Sequence, residues 1–199
     1  MRTALLATRS AARLLLILLL LTLAACAPLA QRATQIDSLS RLPETWRCQG
    51  KLALRAERAD GSSESQVLRF RLEQHGEDFT LQLSGLFGLG AAVIEQRGGV
   101  VTLQRGPALL EQADSSEALL LQLTGLDLPV SLLRYWLAGR PGPREIARVE
   151  RRHASGFEQA GWTVSYLALA EYAGNTLPRK IRATGSPGSV TIVVADWQL

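Results

Sequence analysis

The sequence is poor in the residues that usually build reactive sites. Its 199 residues include two cysteines, two histidines and one methionine, and aromatic residues make up only 6%. Two cysteines, Cys26 and Cys48, cannot staple a domain through a disulfide framework. His75 and His153 stand in unrelated contexts without ligand spacing, so no metal site is expected and both rings are read as surface groups. There is no Gly-x-x-x-x-Gly-Lys-Ser/Thr phosphate loop and no Gly-x-Ser-x-Gly nucleophile elbow, so the chain is read as a non-enzyme that hydrolyses no nucleotide. Glycine and proline, 17 and 8, are too few for a fibrous or low-complexity chain. Clustered positive charge is also scarce. The formal charge is +4, but Arg2, Arg9 and Arg13 fall in the first 25 residues, which hold no Asp or Glu, and without them the balance drops to +1. A body so close to neutral is not expected to bind nucleic acid, where affinity comes from clustered Lys and Arg. What remains is 47% hydrophobic and 20% charged, enough for one domain with a real core.

The most specific stretch comes first. The cationic start runs into an apolar block, Leu14–Leu23, followed by the small residues Ala24 and Ala25 and then Cys26. Ten helical residues reach about 15 Å, roughly half a bilayer core, so the block reads as an export signal rather than a permanent span. Leu23-Ala-Ala-Cys26 resembles the lipobox of bacterial lipoproteins. That resemblance implies cleavage before Cys26, an S-diacylglycerol on its thiol and an N-acyl group on the new amine. With Ala rather than Asp at position 27, it also implies sorting to the outer membrane. One acyl chain binds a bilayer only marginally, whereas three anchor it in effect permanently. Cys48 then has no partner and is expected as a small buried hydrophobe on a strand.

Residues 27–42 are read as a tether or short helix ended by Pro43. From Trp46 the apolar period becomes two: Leu52, Leu54 and Ala56, then Leu68, Phe70 and Leu72, then Phe79, Leu81 and Leu83 alternate with polar neighbours. Further strands are predicted over 91–96, 100–105, 146–152, 162–167, 178–183 and 190–197, with turns at 60–63, 75–78 and 98–99. Two helices interrupt this meander. One follows Asp114-Ser-Ser-Glu117, which has the form of a capping box, and stops at Gly125. The other runs from Pro129 to Leu137 with Leu132, Leu133, Trp136 and Leu137 on one apolar face, and ends at Gly139. Such a pair is expected to lie across an open face of the sheet.

Several stretches, taken in order, resemble the LolB family, the outer-membrane receptors of bacterial lipoprotein sorting. They are Trp46-Arg-Cys-Gln-Gly-Lys-Leu52, Leu83-Ser-Gly-Leu-Phe-Gly-Leu-Gly90, Thr124-Gly-Leu-Asp-Leu-Pro-Val130 leading to Leu133-Arg-Tyr-Trp-Leu-Ala-Gly139, Phe157-Glu-Gln-Ala-Gly-Trp162, Leu177-Pro-Arg-Lys-Ile181 and Asp196-Trp-Gln-Leu199. The resemblance implies a mainly β fold, an incomplete, half-open antiparallel β-barrel with a short helical lid over an apolar cavity. The expected layout is a removed signal at 1–25, a lipidated N-terminus and tether at 26–45, and the half-barrel at 46–199.

The implied activity is acceptance of acylated lipoproteins from a soluble, LolA-like periplasmic carrier and their insertion into the inner leaflet of the outer membrane. The partners would be acylated cargo, the carrier and outer-membrane phospholipid. The chain would be a monomer without cofactors, held by its lipid at the periplasmic face. Phe70, Leu81, Trp136 and Trp162 are the expected lining of the acyl-chain cavity. In the segment 85–90, Leu86, Phe87 and Leu89 stand where a turn would carry polar groups, which marks contact with something apolar. The family places a membrane-inserting loop here, with Phe87 in place of its leucine. The residues alone leave a second reading open, a lipid-anchored structural or adaptor module without transport. It would have a closed, fully packed barrel.

Overall fold

The period-two segments form strands as their alternation dictates, and the strands make a single open sheet. The computed structural model describes residues 39–57, 61–85, 91–106, 109–113, 115–124, 128–186 and 188–199. Its elements are β1 (Thr45–Glu57), β2 (Ser63–His75), β3 (Asp78–Ser84), β4 (Ala92–Arg97), β5 (Val100–Arg105), β6 (Leu109–Ala113), α1 (Ser116–Thr124), α2 (Val130–Leu137), β7 (Val149–His153), β8 (Gly156–Gln159), β9 (Trp162–Tyr172), β10 (Asn175–Gly185) and β11 (Gly188–Gln198). Every paired strand is antiparallel, in the order β6-β5-β4-β3-β2-β1-β11-β10-β9-β8-β7. The first and last strands meet mid-sheet, with Leu52 opposite both Leu68 and Ile192. The edges β6 and β7 do not pair with one another, so the barrel is incomplete, as expected. The chain that leaves one edge and enters the other carries both helices, which places them where closure would occur.

One face of the sheet is apolar apart from Gln74 and Gln159. Leu52, Leu54, Leu68, Phe70, Leu72, Phe79, Leu81 and Leu83 are all buried, and they share one core with Leu119, Leu120 and most of α2. Cys48 is buried on β1 as expected, and desolvation pushes its thiol pKa well above the ordinary range. His75 is exposed, whereas His153 is half-buried and its Nδ1 lies 3.4 Å from Ser155 Oγ. At Gly50 β1 bulges against β11, and a Cβ there would stand 2.0 Å from the Val193 carbonyl oxygen, so only glycine fits.

Three local departures from the sequence reading have physical causes. The strand expected from Ile146 begins at Val149, because the Ile146 and Ala147 amides both donate to the Pro143 carbonyl and hold a turn. β6 and β8 were not predicted, since Leu109-Leu-Glu-Gln-Ala113 does not alternate and four residues of β8 are too few to show a period. The stretch before β1 carries no helix at residues 39–43. It docks on the body instead, where the Ser40 amide donates to Thr176 O at 2.9 Å and the Thr176 amide donates to Ser40 Oγ at 3.0 Å.

Candidate functional site

The apolar face of the sheet is covered by two helices held in very different ways. In α2, seven of eight residues are buried, so the helix is hydrophobic nearly all round and sits inside the protein rather than on it. Trp136, in its last turn, is fully buried and packs at a tilt against Trp162, with ring centroids 6.4 Å apart. Trp136 Nε1 donates to Gln159 Oε1 at 3.1 Å, and Tyr166 Oη donates to the Trp136 carbonyl at 2.9 Å. Gln159, also fully buried, accepts from the Gly142 amide at 2.9 Å and donates to Gly142 O at 3.0 Å and Ala147 O at 2.7 Å. Its amide therefore ties β8, the helix and the segment after the helix in one knot. Burial pushes the Tyr166 hydroxyl far above its usual pKa, so it stays a neutral donor.

α1 is held by other contacts. Leu119 and Leu120 are buried beneath it, while Leu121 and Gln122 face outward. Its start corrects the expected capping box. The Ala118 amide is bonded to Ser115 Oγ at 3.2 Å, one residue later than predicted, and Glu117 reaches away from its own helix to accept from the Ser131 amide at 2.9 Å. Glu117 thus caps the start of α2, where Pro129 supplies no side-chain cap. Burial pushes its carboxyl pKa up, but the hydrogen bonds from Ser131 and Ser116 outweigh that and leave it below the ordinary range.

At the rim, Arg134 of α2 is an almost fully buried cation. Its Nη1 donates to Glu77 O at 2.8 Å, its Nη2 to Glu77 Oε2 at 2.6 Å and to Tyr135 Oη at 2.8 Å, and the guanidinium lies 4.6 Å from the Tyr135 ring centroid. A groove of about 380 Å³ opens beside it, bounded by Leu42, Trp46, Gln74, Tyr135 and Arg140. Arg134 and Gln159 were not singled out from sequence, and Glu117 was read only as part of the capping box of its own helix. The only signal for Arg134 was its place in a helix otherwise apolar on every side.

The four predicted cavity residues all lie in the common core. Leu81 and Trp136 are completely enclosed, and Phe70 and Trp162 are each 4% exposed. Phe70 also borders a groove of about 460 Å³ that reaches the outer face. Among the described residues α1 and α2 cover the inner face, with Trp136 and the leucines of α2 buried against the sheet. Cys26 and the loop residues Leu86, Phe87 and Leu89 lie outside the described residues. The strand ends flanking that loop are described: β3 ends at Ser84, and Gly85 turns the chain with φ +90°.

Among known proteins, the family described as outer membrane lipoprotein LolB matches residues 44–197. The outer-membrane lipoprotein LolB of Pseudomonas paraeruginosa is 37% identical over 169 residues, covering 83% of this chain and 79% of that one. The protein of the same name from Halorhodospira halophila is 36% identical over 156 residues, covering 76% and 74%. Among solved structures, a LolA superfamily protein from Nitrosomonas europaea is 12% identical, with a TM-score of 0.49 over 84% of this chain and 94% of that one. With the family's match running from one residue before β1 to the last tryptophan of β11, the chain belongs to the outer membrane lipoprotein LolB family.

Proposed function

We propose that this protein, anchored through acyl groups at Cys26 after removal of residues 1–25, accepts acylated lipoproteins from a soluble periplasmic carrier. It then passes their chains into the inner leaflet of the outer membrane. The observation that carries this reading is the unequal hold of the two helices across the open side of the sheet. α2 is pinned by the Gln159 and Tyr166 hydrogen bonds, whereas α1 is seated by Leu119 and Leu120. Lifting α1 exposes Leu119 and Leu120, at about 1.5 to 3 kcal/mol each, and breaks the bond from the Ser131 amide to Glu117, at about 1.5 to 3 kcal/mol more. Several hundred Å² of acyl chain leaving water is worth on the order of 10 kcal/mol at about 25 cal/mol per Å². An incoming chain therefore displaces the leucines without nucleotide hydrolysis, and a bilayer, which offers the same burial without that displacement, draws it out again. Leu86, Phe87 and Leu89 would make the contact through which it leaves.

The deep burial of α2 against the inner face favours one other reading, an anchored adaptor with no transport role. Photo-crosslinking separates the two. A photoreactive residue at position 119 labels the acyl chains of carrier-delivered cargo if α1 is the cover, and one at position 87 labels phospholipid. A label at 119 that stays within the protein during delivery leaves the adaptor. Phe87→Glu places a charge at the proposed exit, so cargo is still accepted while its transfer to liposomes falls; normal transfer by this variant removes the loop from the mechanism.

A further inference from the structure

The outer face of the sheet, opposite the helices, carries its charge in separate zones. Register places Lys180, Val193, Lys51, Arg69 and Ser84 in one row across β10, β11, β1, β2 and β3. Lys51 and Arg69 are direct cross-strand partners, an arrangement of like charges that destabilises a sheet unless something else compensates it. The next row sets Arg182 in register with Thr191, Ala53 and Val67. On the other side of the first row, Arg71 stands opposite Gln49, whose side chain it reaches at 3.2 Å. Among the described residues, none of Lys51, Arg69, Arg71, Lys180 and Arg182 forms an ion pair. The carboxylates Glu73 and Glu95 lie one row further on and are engaged by Arg47 and Arg97, and Asp196 sits at the margin beside Gln49.

Aliphatic side chains are exposed among these cations. Val67 is 61% exposed and Val193 39%. Between Lys51, Arg69 and Arg71 the 460 Å³ groove has Phe70 and Leu83 in its wall. Cations mixed with exposed aliphatic groups on a broad face suit a phospholipid surface, where phosphates meet the cations and the aliphatic groups reach the glycerol layer. The row ends at Ser84, where β3 runs toward the segment with the apolar loop residues.

We infer that this cationic outer face docks on the anionic headgroups of the bilayer, fixing how the anchored protein is oriented on the membrane. The inference adds an orientation to the anchored reading above and requires no cargo transfer. Lys51 and Lys180 are the only lysines in the chain, and both lie in the central row, so they report on it directly.

The full lipidated protein is reconstituted in phosphatidylcholine vesicles with and without phosphatidylglycerol. It is then treated with a water-soluble amine-modifying reagent and read by mass spectrometry. Both lysines are modified severalfold more slowly on the anionic vesicles, and the protection disappears in about 1 M salt, where the Debye length is about 3 Å. Arg69→Gln with Arg71→Gln leaves both reporters in place and lowers the docking equilibrium constant by about thirtyfold, at about 1 kcal/mol per cation. Equal lysine reactivity on both vesicle types overturns the proposal, as does protection that appears only when a soluble protein partner is added. Flotation with the vesicles reports anchoring separately, so a failure to dock is distinguished from a failure to anchor.

Discussion

A buried amide with four hydrogen bonds decides more here than any charged group. Gln159 satisfies the Trp136 indole, both polar groups of Gly142 and the Ala147 carbonyl, all inside the core. Truncating it leaves four buried polar groups without partners, and each unmatched group costs about 1 to 3 kcal/mol. Gln159→Ala is therefore expected to lower the unfolding free energy by about 3 kcal/mol or more, measured by urea denaturation, and to release Trp136 so that its fluorescence shifts to the red. A variant within about 0.5 kcal/mol of wild type shows that the knot is not what holds α2. No periodicity points to Gln159, since a glutamine in a four-residue strand looks like any surface glutamine until its partners are known.

The coupling of the helices is the point at which elements, rather than residues, carry the argument. Glu117 belongs to α1 but caps α2, so the cover and the fixed helix share one hydrogen bond at 2.9 Å. Its carboxyl has a folded pKa below the ordinary value. The stability it contributes is complete above the unfolded pKa of about 4.3 and is lost as pH falls through the lower folded value. Between about pH 5 and pH 3 the wild type should lose stability that Glu117→Gln lacks from the start, so their urea midpoints converge as the pH drops. A constant gap across that range removes Glu117 from the junction. The sequence located both helices to within a few residues, because Pro129, Gly139 and the leucine spacing are local signals. It misplaced the cap, because a side chain that reaches the next helix leaves no local pattern.

For the whole molecule, the charge balance shows what composition hides. A body with a formal charge near +1 offered no reason to expect an anionic partner, yet strand register gathers Lys51, Arg69, Arg71 and Lys180 in one zone of the outer face and sets Glu73 and Glu95 in the next. Anchoring acts at this same scale. Cys26→Ala should yield a protein recovered in the soluble periplasmic fraction, while mass spectrometry of the wild type should find acyl groups at Cys26. A wild type without acyl groups ends the anchored reading and leaves the fold untouched.

Alternation of apolar and polar residues was enough by itself to determine most of the strands and the inward set from Leu52 to Leu83, because a half-buried strand records its two faces residue by residue, whereas the half-open barrel was what the family resemblance implied. Only the tertiary structure decided that both helices cover the inner face, that Gln159 fixes α2 while Glu117 of α1 caps it, and that Lys51, Arg69 and Lys180 share a row. Each of these depends on contacts between residues far apart in the chain, and a linear pattern records only neighbours.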